Sequence, residues 1–170
     1  MTTDTPRRLA RLLERTGCRI VFAESCTGGL VSALLTKVPG VSSYHCGGVV
    51  VYRNATKQAY LDIPPALLKS PGPVSREVTE MLARRVLVKT PEADLAAAVT
   101  GHLGPGSPSD LDGVVFAALA VRRGARTAIV ASHQWHCPPP AGRVRRQRWV
   151  AGEVLGLAAR WLEDGLQEST

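Results

Sequence analysis

Two segments of the chain, DLAAAVT at 94–100 and GVVFAALAV at 113–121, are apolar through almost their whole length. A strand with one face in water alternates polar and apolar residues, so these segments are expected to be strands buried on both faces. Helical patterns occur before and after them along the chain, and a sheet is buried on both faces when helices cover it from two sides. The sequence therefore predicts an α/β fold, a three-layer α/β/α sandwich.

The other elements follow from hydrophobic periodicity and from turn residues. No helix separates the strands at 113–121 and 126–134, so we expect a hairpin there, and the sheet is predicted to be mixed and mostly parallel. No repeat or linker divides the 170 residues, and we expect a single domain over 1–170. The remaining predicted elements are strands at 19–23 and 46–54, helices at 5–16, 28–37, 76–88 and 143–163, and a helical turn or two at 55–61.

The chain carries a formal net charge of +7, from 21 Lys and Arg against 14 Asp and Glu. Such a surplus indicates an anionic partner, either nucleic acid or a small molecule with a phosphate. Four arginines fall within 143–148, where they are either a solvated basic face or ligands for an anion at a helix start. Only 5% of the residues are aromatic, too few for a platform that stacks single-stranded nucleic acid. A small molecule that carries a phosphate is therefore the favoured partner, and nucleic acid is not expected.

Cellular location and metal content are also constrained. The sequence shows no signal peptide and no long apolar run, so we expect a cytoplasmic protein that does not enter a membrane. Its four cysteines are irregularly spaced and do not indicate a disulfide framework. Neither the His-Cys pair at 45–46 nor the HQWHC segment at 133–137 has the spacing of an ordinary zinc site, so no metal is expected.

A polar cluster, Ser25-Cys26-Thr27, lies between an apolar strand and two glycines in the segment FAESCTGGL. The Ser25 hydroxyl is either the N-terminal cap of the next helix or the nucleophile of an enzyme. Gly28 and Gly29 would let a ligand approach the backbone closely. Cys26 competes as the nucleophile if the helix N-terminus lowers the pKa of its thiol, although an isolated cysteine is more commonly a small apolar filler.

Two further polar clusters follow predicted strands: Tyr52 with Asn54 and Lys57, and the pair Thr100-Gly101. Loops at the carboxyl ends of parallel strands form the ligand crevice in open α/β sheets, so the three clusters are expected to meet. Lys57 can act as the base for a serine if burial keeps its amine neutral; the alternative is a solvated helix position. Tyr52 is a candidate to relay a proton or orient this lysine. Thr100 either donates its hydroxyl to the site or bonds to the backbone at the strand end.

Four segments resemble, in order, the blocks of the CinA C-terminal domain family: AESCTGGL, GGVVVYRNATKQAYL, PVSREV and AVTGHLGPG. The resemblance implies a three-layer α/β/α sandwich with a mixed sheet. Members of the family include the nicotinamide-nucleotide amidase, which hydrolyses nicotinamide mononucleotide to nicotinate mononucleotide and ammonia. The resemblance therefore implies an amidohydrolase that requires no cofactor, and a homo-oligomer is compatible with it.

Carried over by position, the resemblance makes Ser25 the nucleophile and Lys57 its base, with Tyr52 and Thr100 as supporting hydroxyls. The implied mechanism is attack on the carboxamide, loss of ammonia and release of the acyl-enzyme by water. The residues implied in substrate binding are Thr27, Gly28 and Gly29 around the carboxamide oxygen, Arg143 at the nucleotide phosphate, and Asn54 and Gly101 in the loops that follow the strands.

The chain departs from the family pattern close to these residues. Where the family usually has TGIAGPGGG, this chain has TGHLGPGSP, with His102 and Leu103 in place of smaller apolar residues, and the segment at 133–143 also differs. A non-catalytic nucleotide-binding or regulatory module that uses the same pocket is therefore the alternative to an amidase, and nucleic-acid binding through the arginines is a third hypothesis. Longer members carry an additional nucleotide-binding domain at the N-terminus, and we expect this chain to be a stand-alone version.

Overall fold

A five-stranded sheet forms the centre of the protein and carries helices on both faces. The computed structural model describes residues 4–104, 106–107, 110–138 and 142–167. The strands are β1 (Ile20–Glu24), β2 (His45–Val50), β3 (Leu95–Gly101), β4 (Val114–Arg123) and β5 (Arg126–His136). The helices are α1 (Thr5–Thr16), α2 (Leu30–Leu35), α3 (Asn54–Leu61), α4 (Pro65–Lys69), α5 (Arg76–Lys89) and α6 (Arg143–Gln167), with a short 3-10 helix at Val41–Ser43.

The strands lie in the order β2-β1-β3-β4-β5. β1 pairs in parallel with β2 and β3, whereas β4 is antiparallel to both of its neighbours. Four of these strands therefore point in one direction and β4 in the other, which confirms the mixed, mostly parallel sheet and the hairpin. At the end of β1, Glu24 is in register with Val50 of β2 and Val99 of β3, so the segments that follow these three strands begin side by side.

Alternate side chains of β3 pack into two separate cores. On one face of the sheet, Leu95, Ala97 and Val99 pack with buried side chains of α1, α2 and α6. On the other face, Ala96 and Ala98 pack with buried side chains of α3, α4 and α5. Helices thus cover both faces of this strand, as its continuous apolar run predicts. The three-layer α/β/α sandwich is confirmed.

The bounds of β2 and α2 differ from the predicted ones, and both elements lie beside polar clusters. β2 ends at Val50 instead of continuing to residue 54, so Tyr52 lies in the turn that leads into α3. α2 is shorter at both ends than the predicted 28–37 helix. At its start, Gly28 and Gly29 have φ angles of +64° and +99°, which an α-helix excludes.

Candidate active site

Ser25 is the first residue after β1, at the carboxyl end of the sheet. Side chains alternate along the strand, and Val21 and Ala23 pack in the core beneath α5, so Ser25 points towards that layer. Its amide N–H donates to the Val99 carbonyl at 3.1 Å and extends the pairing with β3 by one residue. Ser25 is 8% exposed. Its position is therefore fixed by the two central parallel strands.

The Lys57 amine is the hydrogen-bond partner of the Ser25 hydroxyl. Lys57 lies on α3 and is 2% exposed; its Nζ is 3.2 Å from Ser25 Oγ. The same nitrogen donates to the carbonyl oxygens of Val51 at 2.8 Å and Tyr52 at 3.4 Å. Carbonyl oxygens only accept hydrogen bonds. A neutral amine in this position gives its two hydrogens to the carbonyls and turns its lone pair to the serine hydroxyl, which is the arrangement of a general base.

Burial lowers the pKa of Lys57 below its ordinary value of 10.5. Within the described ranges, no carboxylate forms an ion pair with its Nζ that would favour the charged form. The solvated position considered for this lysine is excluded by its burial. A buried lysine with a depressed pKa beside a serine hydroxyl has the properties that a Ser/Lys nucleophilic pair needs.

Glu24 caps the start of α2, which the sequence analysis did not anticipate. One carboxylate oxygen, Oε2, accepts from the Thr27 hydroxyl at 2.7 Å and from the Gly29 and Val31 amides at 3.0 Å each. The other, Oε1, accepts from the Ser32 amide at 2.9 Å. A helix start leaves several amide N–H groups without partners, and this buried side chain satisfies three of them. A glutamate directly after an apolar strand is an unusual residue to bury, and this position in the sequence was the one sign that Glu24 has a structural role.

Because Glu24 holds the start of α2, Ser25 is not the cap of that helix. The N-cap residue of α2 is Gly29, which has no side chain to cap the helix. The Ser25 hydroxyl bonds to Lys57 and does not contact the helix start. Of the two roles considered for this serine, the capping role is therefore wrong.

The residues predicted around the carboxamide oxygen already have partners within the protein. Thr27 and Gly29 donate to Glu24, and the Gly28 amide donates to the Ser25 carbonyl at 3.1 Å. All three line a neighbouring cavity of about 460 Å³ between α2 and α6, and not the cleft at Ser25. Their contact with a substrate remains a prediction.

Cys26 is buried, with 4% of its surface exposed. Burial raises the pKa of its thiol to about 12, because a thiolate loses hydration in this position. The thiol is therefore protonated at neutral pH. This environment favours the apolar filler over the competing nucleophile.

A cleft of about 190 Å³ includes the Ser25 and Lys57 side chains in its wall. Six of the ten predicted site residues line it: Ser25, Tyr52, Asn54, Lys57, Gly101 and Arg143. Cys26, Pro73 and Val74 complete the lining. Pro73 and Val74 precede α5 and were not predicted, because apolar residues in a Pro-rich segment give no chemical signal before the fold places them.

Arg143 bridges two sides of the cleft. Its Nη1 donates to the Gly104 carbonyl at 2.6 Å and its Nη2 donates to the Tyr52 hydroxyl at 2.7 Å. Both acceptors are neutral, so the guanidinium charge is not compensated by these contacts. The Tyr52 hydroxyl thus contacts Arg143, and it is the Tyr52 carbonyl that reaches Lys57.

The Thr100 hydroxyl lies behind the cleft, on the side of α5. Thr100 has no exposed surface, and its Oγ1 is 2.8 Å from Thr79 Oγ1. The Thr79 hydroxyl donates to the Ser75 carbonyl at 2.6 Å, so Thr100 is the donor to Thr79. This pair ties β3 to α5 next to Ser25. α5 begins after Ser75, whose hydroxyl accepts from the Val78 amide.

Gly101 occupies a position with no room for a side chain. A Cβ here would lie 2.9 Å from Val115 Cγ2 and 3.1 Å from Cys26 Sγ, closer than van der Waals contact allows. The glycine therefore keeps the β3 end packed against the Cys26 turn. Within the residues that the structure describes, no group of three or more His, Cys, Asp or Glu side chains is placed to hold a metal ion, and no helix is long and apolar enough to cross a membrane.

Several proteins of known sequence are similar to this chain. A putative competence-damage inducible protein of Symbiobacterium thermophilum is 38% identical over 157 residues, which cover 91% of this chain and 34% of that protein. A CinA-like protein of Geobacter metallireducens is 44% identical over 125 residues, or 72% of this chain and 30% of that protein. The chain spans about a quarter to a third of the length of the curated relatives that it matches.

Solved structures show the same fold. The competence/damage inducible protein CihA of Agrobacterium tumefaciens has a TM-score of 0.83 at 29% identity, over 91% of this chain and 92% of that one. A CinA superfamily protein of Klebsiella pneumoniae has a TM-score of 0.85 at 23% identity, over 96% and 99%. The model of the CinA C-terminal domain family matches residues 2–146. The chain therefore belongs to the CinA C-terminal domain family.

Proposed function

We propose that the protein is an amidohydrolase that converts nicotinamide mononucleotide to nicotinate mononucleotide and ammonia, with Ser25 as the nucleophile and Lys57 as the general base. The observation that carries the proposal is the 3.2 Å contact between the Nζ of a buried lysine and the Oγ of a nearly buried serine. This substrate is the one that the resemblance of the sequence blocks implies.

In the proposed reaction, Ser25 Oγ attacks the carboxamide carbon while Lys57 Nζ takes the hydroxyl proton. The C–N bond then breaks, and the proton passes from Lys57 to the departing nitrogen, which leaves as ammonia. Water attacks the resulting ester, gives a proton to Lys57, and releases the carboxylic acid. The lysine finally returns that proton to Ser25, so one base serves both halves of the reaction.

The rest of the cleft suits a nucleotide. Among the described residues, Arg143 donates to two neutral acceptors, the Gly104 carbonyl and the Tyr52 hydroxyl, so a phosphate would gain a charge-assisted bond by replacing either. Pro73 and Val74 provide an apolar wall in a cleft whose other side chains are mainly polar. Such a wall is suited to a flat heteroaromatic ring.

The test is incubation of the purified protein with nicotinamide mononucleotide, with ammonia and nicotinate mononucleotide as the measured products. We expect release by the wild type and none by Ser25→Ala, with the same unfolding midpoint in both to within a few degrees. Nicotinamide riboside, which lacks the phosphate, separates the ring site from the phosphate site. Arg143→Gln is expected to reduce kcat/KM for the nucleotide by about 10- to 100-fold, equivalent to a charge-assisted bond, and to leave the riboside unaffected.

Saturable nucleotide binding without ammonia release would favour the binding or regulatory module over the amidase. The altered loop that follows Gly101 is the feature behind that alternative, since Gly104 in this loop contacts Arg143. Release that persists in Ser25→Ala would rule out the serine mechanism while leaving the amidase activity in place.

A further inference from the structure

The Glu24 carboxylate is buried, with 1% of the residue exposed, and it accepts hydrogen bonds from four donors. All four donors reach its two oxygens, so the side chain acts here as a multiple hydrogen-bond acceptor. Within the described residues, no cationic side chain forms an ion pair with it, and the amides at the start of α2 provide the compensating positive charge.

Glu24 and Ser25 are consecutive and point to opposite faces of the sheet. Phe22, two residues before Glu24, packs in the core beneath α1, α2 and α6, whereas Ala23, two residues before Ser25, packs in the core beneath α5. Because successive side chains of an extended strand alternate, a bond that fixes Glu24 on one face fixes the direction of Ser25 on the other.

The same contacts shape the turn that follows Ser25. Glu24 holds the Thr27 hydroxyl and the Gly29 amide, and the Gly28 amide closes the turn on the Ser25 carbonyl. In the described part of the chain, the amide N–H groups of Cys26 and Thr27 donate to no other residue. Amides directly after a nucleophile are the usual donors to an oxyanion.

We propose that Glu24 is a positioning residue for the nucleophile. Its carboxylate fixes the Ser25–Gly29 turn so that Ser25 Oγ faces Lys57 and the amide of Cys26, which lines the same cleft, is presented to the oxyanion. This inference rests on the proposed role of Ser25 and Lys57. It assigns no oxyanion bond to the Gly28 and Gly29 amides, because both already donate within the protein.

The test compares Glu24→Gln with Glu163→Gln in the full-length protein. Glutamine has nearly the same shape, but its single oxygen cannot accept at both carboxylate positions. Its amide nitrogen therefore faces an N–H donor on one side, and the hydrogen bonds on that side are lost. Glu163 on α6 binds Arg8 on α1, and its replacement removes a carboxylate bond away from the cleft. The readout is labelling of Ser25 by a small alkyl fluorophosphonate, in which Ser25 Oγ displaces fluoride and its proton passes to Lys57. Each variant is studied well below its unfolding midpoint.

We expect Glu24→Gln to lower the maximal labelling rate at least tenfold, with little change in the probe concentration that gives half of that rate. Glu163→Gln should label within twofold of the wild type. A residue that only stabilised α2 would lower the unfolding midpoint and leave the labelling rate of the folded protein unchanged, and that result would overturn the proposal. If Glu24→Gln does not fold, Glu24→Asp, which keeps the charge on a shorter side chain, is expected to show the same loss of rate and the same constant half-saturation.

The labelling assay separates this inference from the choice of substrate. If the wild type is labelled at Ser25 but releases no ammonia from nicotinamide mononucleotide, the proposed substrate is wrong and the Glu24 comparison still applies. If the wild type is not labelled and Ser25→Ala behaves identically, Ser25 is not a nucleophile, and the positioning role of Glu24 is overturned with it.

Discussion

At the residue scale, the protonation of Lys57 sets the expected pH dependence of activity. Burial lowers its pKa below 10.5, and only the neutral amine can accept the Ser25 proton. We therefore expect kcat/KM to rise with pH through the Lys57 pKa and to level off above it. Lys57→Arg remains charged throughout and should lose about 10²- to 10⁴-fold in kcat, the range typical of general-base catalysis. A flat pH profile with an active Lys57→Arg variant would exclude this lysine as the base.

The same residue makes stability depend on pH. Since the folded-state pKa of Lys57 is below the unfolded value of 10.5, the unfolded chain binds more protons between the two values. The free energy of unfolding should therefore rise with pH between these two pKa values, with a slope of up to about 1.4 kcal/mol per pH unit. Below the folded-state pKa the buried amine is charged, and its full destabilising effect is present. Lys57→Met should lack this contribution. Urea unfolding of both proteins at several pH values measures the difference, and parallel pH curves would contradict it.

Ser25 and Lys57 could be found from the sequence because both stand in short polar clusters after predicted strands, and because those clusters resemble known family blocks. Glu24 and Thr79 could not be assigned in this way. The partners of Glu24 are mainly backbone amides that become available only when α2 forms, and the partner of Thr79 is Thr100 on a strand 21 positions away. Local sequence patterns identify polar clusters more readily than the buried partners that become available only after folding.

At the scale of elements, the bond between Thr79 and Thr100 joins α5 to β3 directly behind the cleft. Thr79→Val preserves the shape but leaves the buried Thr100 hydroxyl without its acceptor, while the Ser75 carbonyl keeps its bond from the Thr79 amide. We expect a loss of about 1–3 kcal/mol in the free energy of unfolding. Thr79→Ser keeps the hydroxyl and removes one methyl group, at a cost of about 0.8 kcal/mol. Urea unfolding should show the wild type as the most stable protein, Thr79→Ser as the next and Thr79→Val as the least stable. Equal stability of the two variants would show that the hydrogen bond contributes little.

Elements with a clear apolar pattern were predicted well, and elements whose ends depend on tertiary contacts were predicted less well. β3, β4 and α5 contain long apolar patterns, and their observed positions agree with prediction to within about two residues. The end of β2 and the start of α2 depend instead on tertiary bonds. The carbonyls of Val51 and Tyr52 turn to Lys57, and Glu24 holds α2 after two glycines with positive φ. Local sequence patterns do not contain these contacts.

At the scale of the whole molecule, the cleft combines segments from most of the chain. Ser25 follows β1, Lys57 is on α3, Val74 precedes α5, Gly101 ends β3 and Arg143 begins α6. α6 connects this site to the rest of the fold, because its apolar face belongs to the same core as α1 and β3. A complete site therefore requires that this last helix is docked.

The family match extends over residues 2–146 and so ends four residues into α6, yet the buried side chains of this helix begin at Val150. Val150, Val154, Leu155 and Leu162 are each at most 5% exposed. At about 1.5–3 kcal/mol for each buried side chain, these four alone contribute roughly 6–12 kcal/mol, which is comparable to the total stability of a typical domain.

We therefore expect a chain truncated after Arg146 to lose cooperative unfolding even though it retains every predicted site residue. Urea unfolding followed by far-UV circular dichroism, with the full-length chain as the reference, measures this directly. Arg143→Ala in the full-length chain is the matched control, since it removes the cleft arginine and leaves the buried face of α6 intact. It should unfold cooperatively while binding nucleotide more weakly. A sharp urea transition in the truncated chain would show that α1 and the sheet form a stable core without the last helix, and that α6 is needed only to place Arg143 at the cleft.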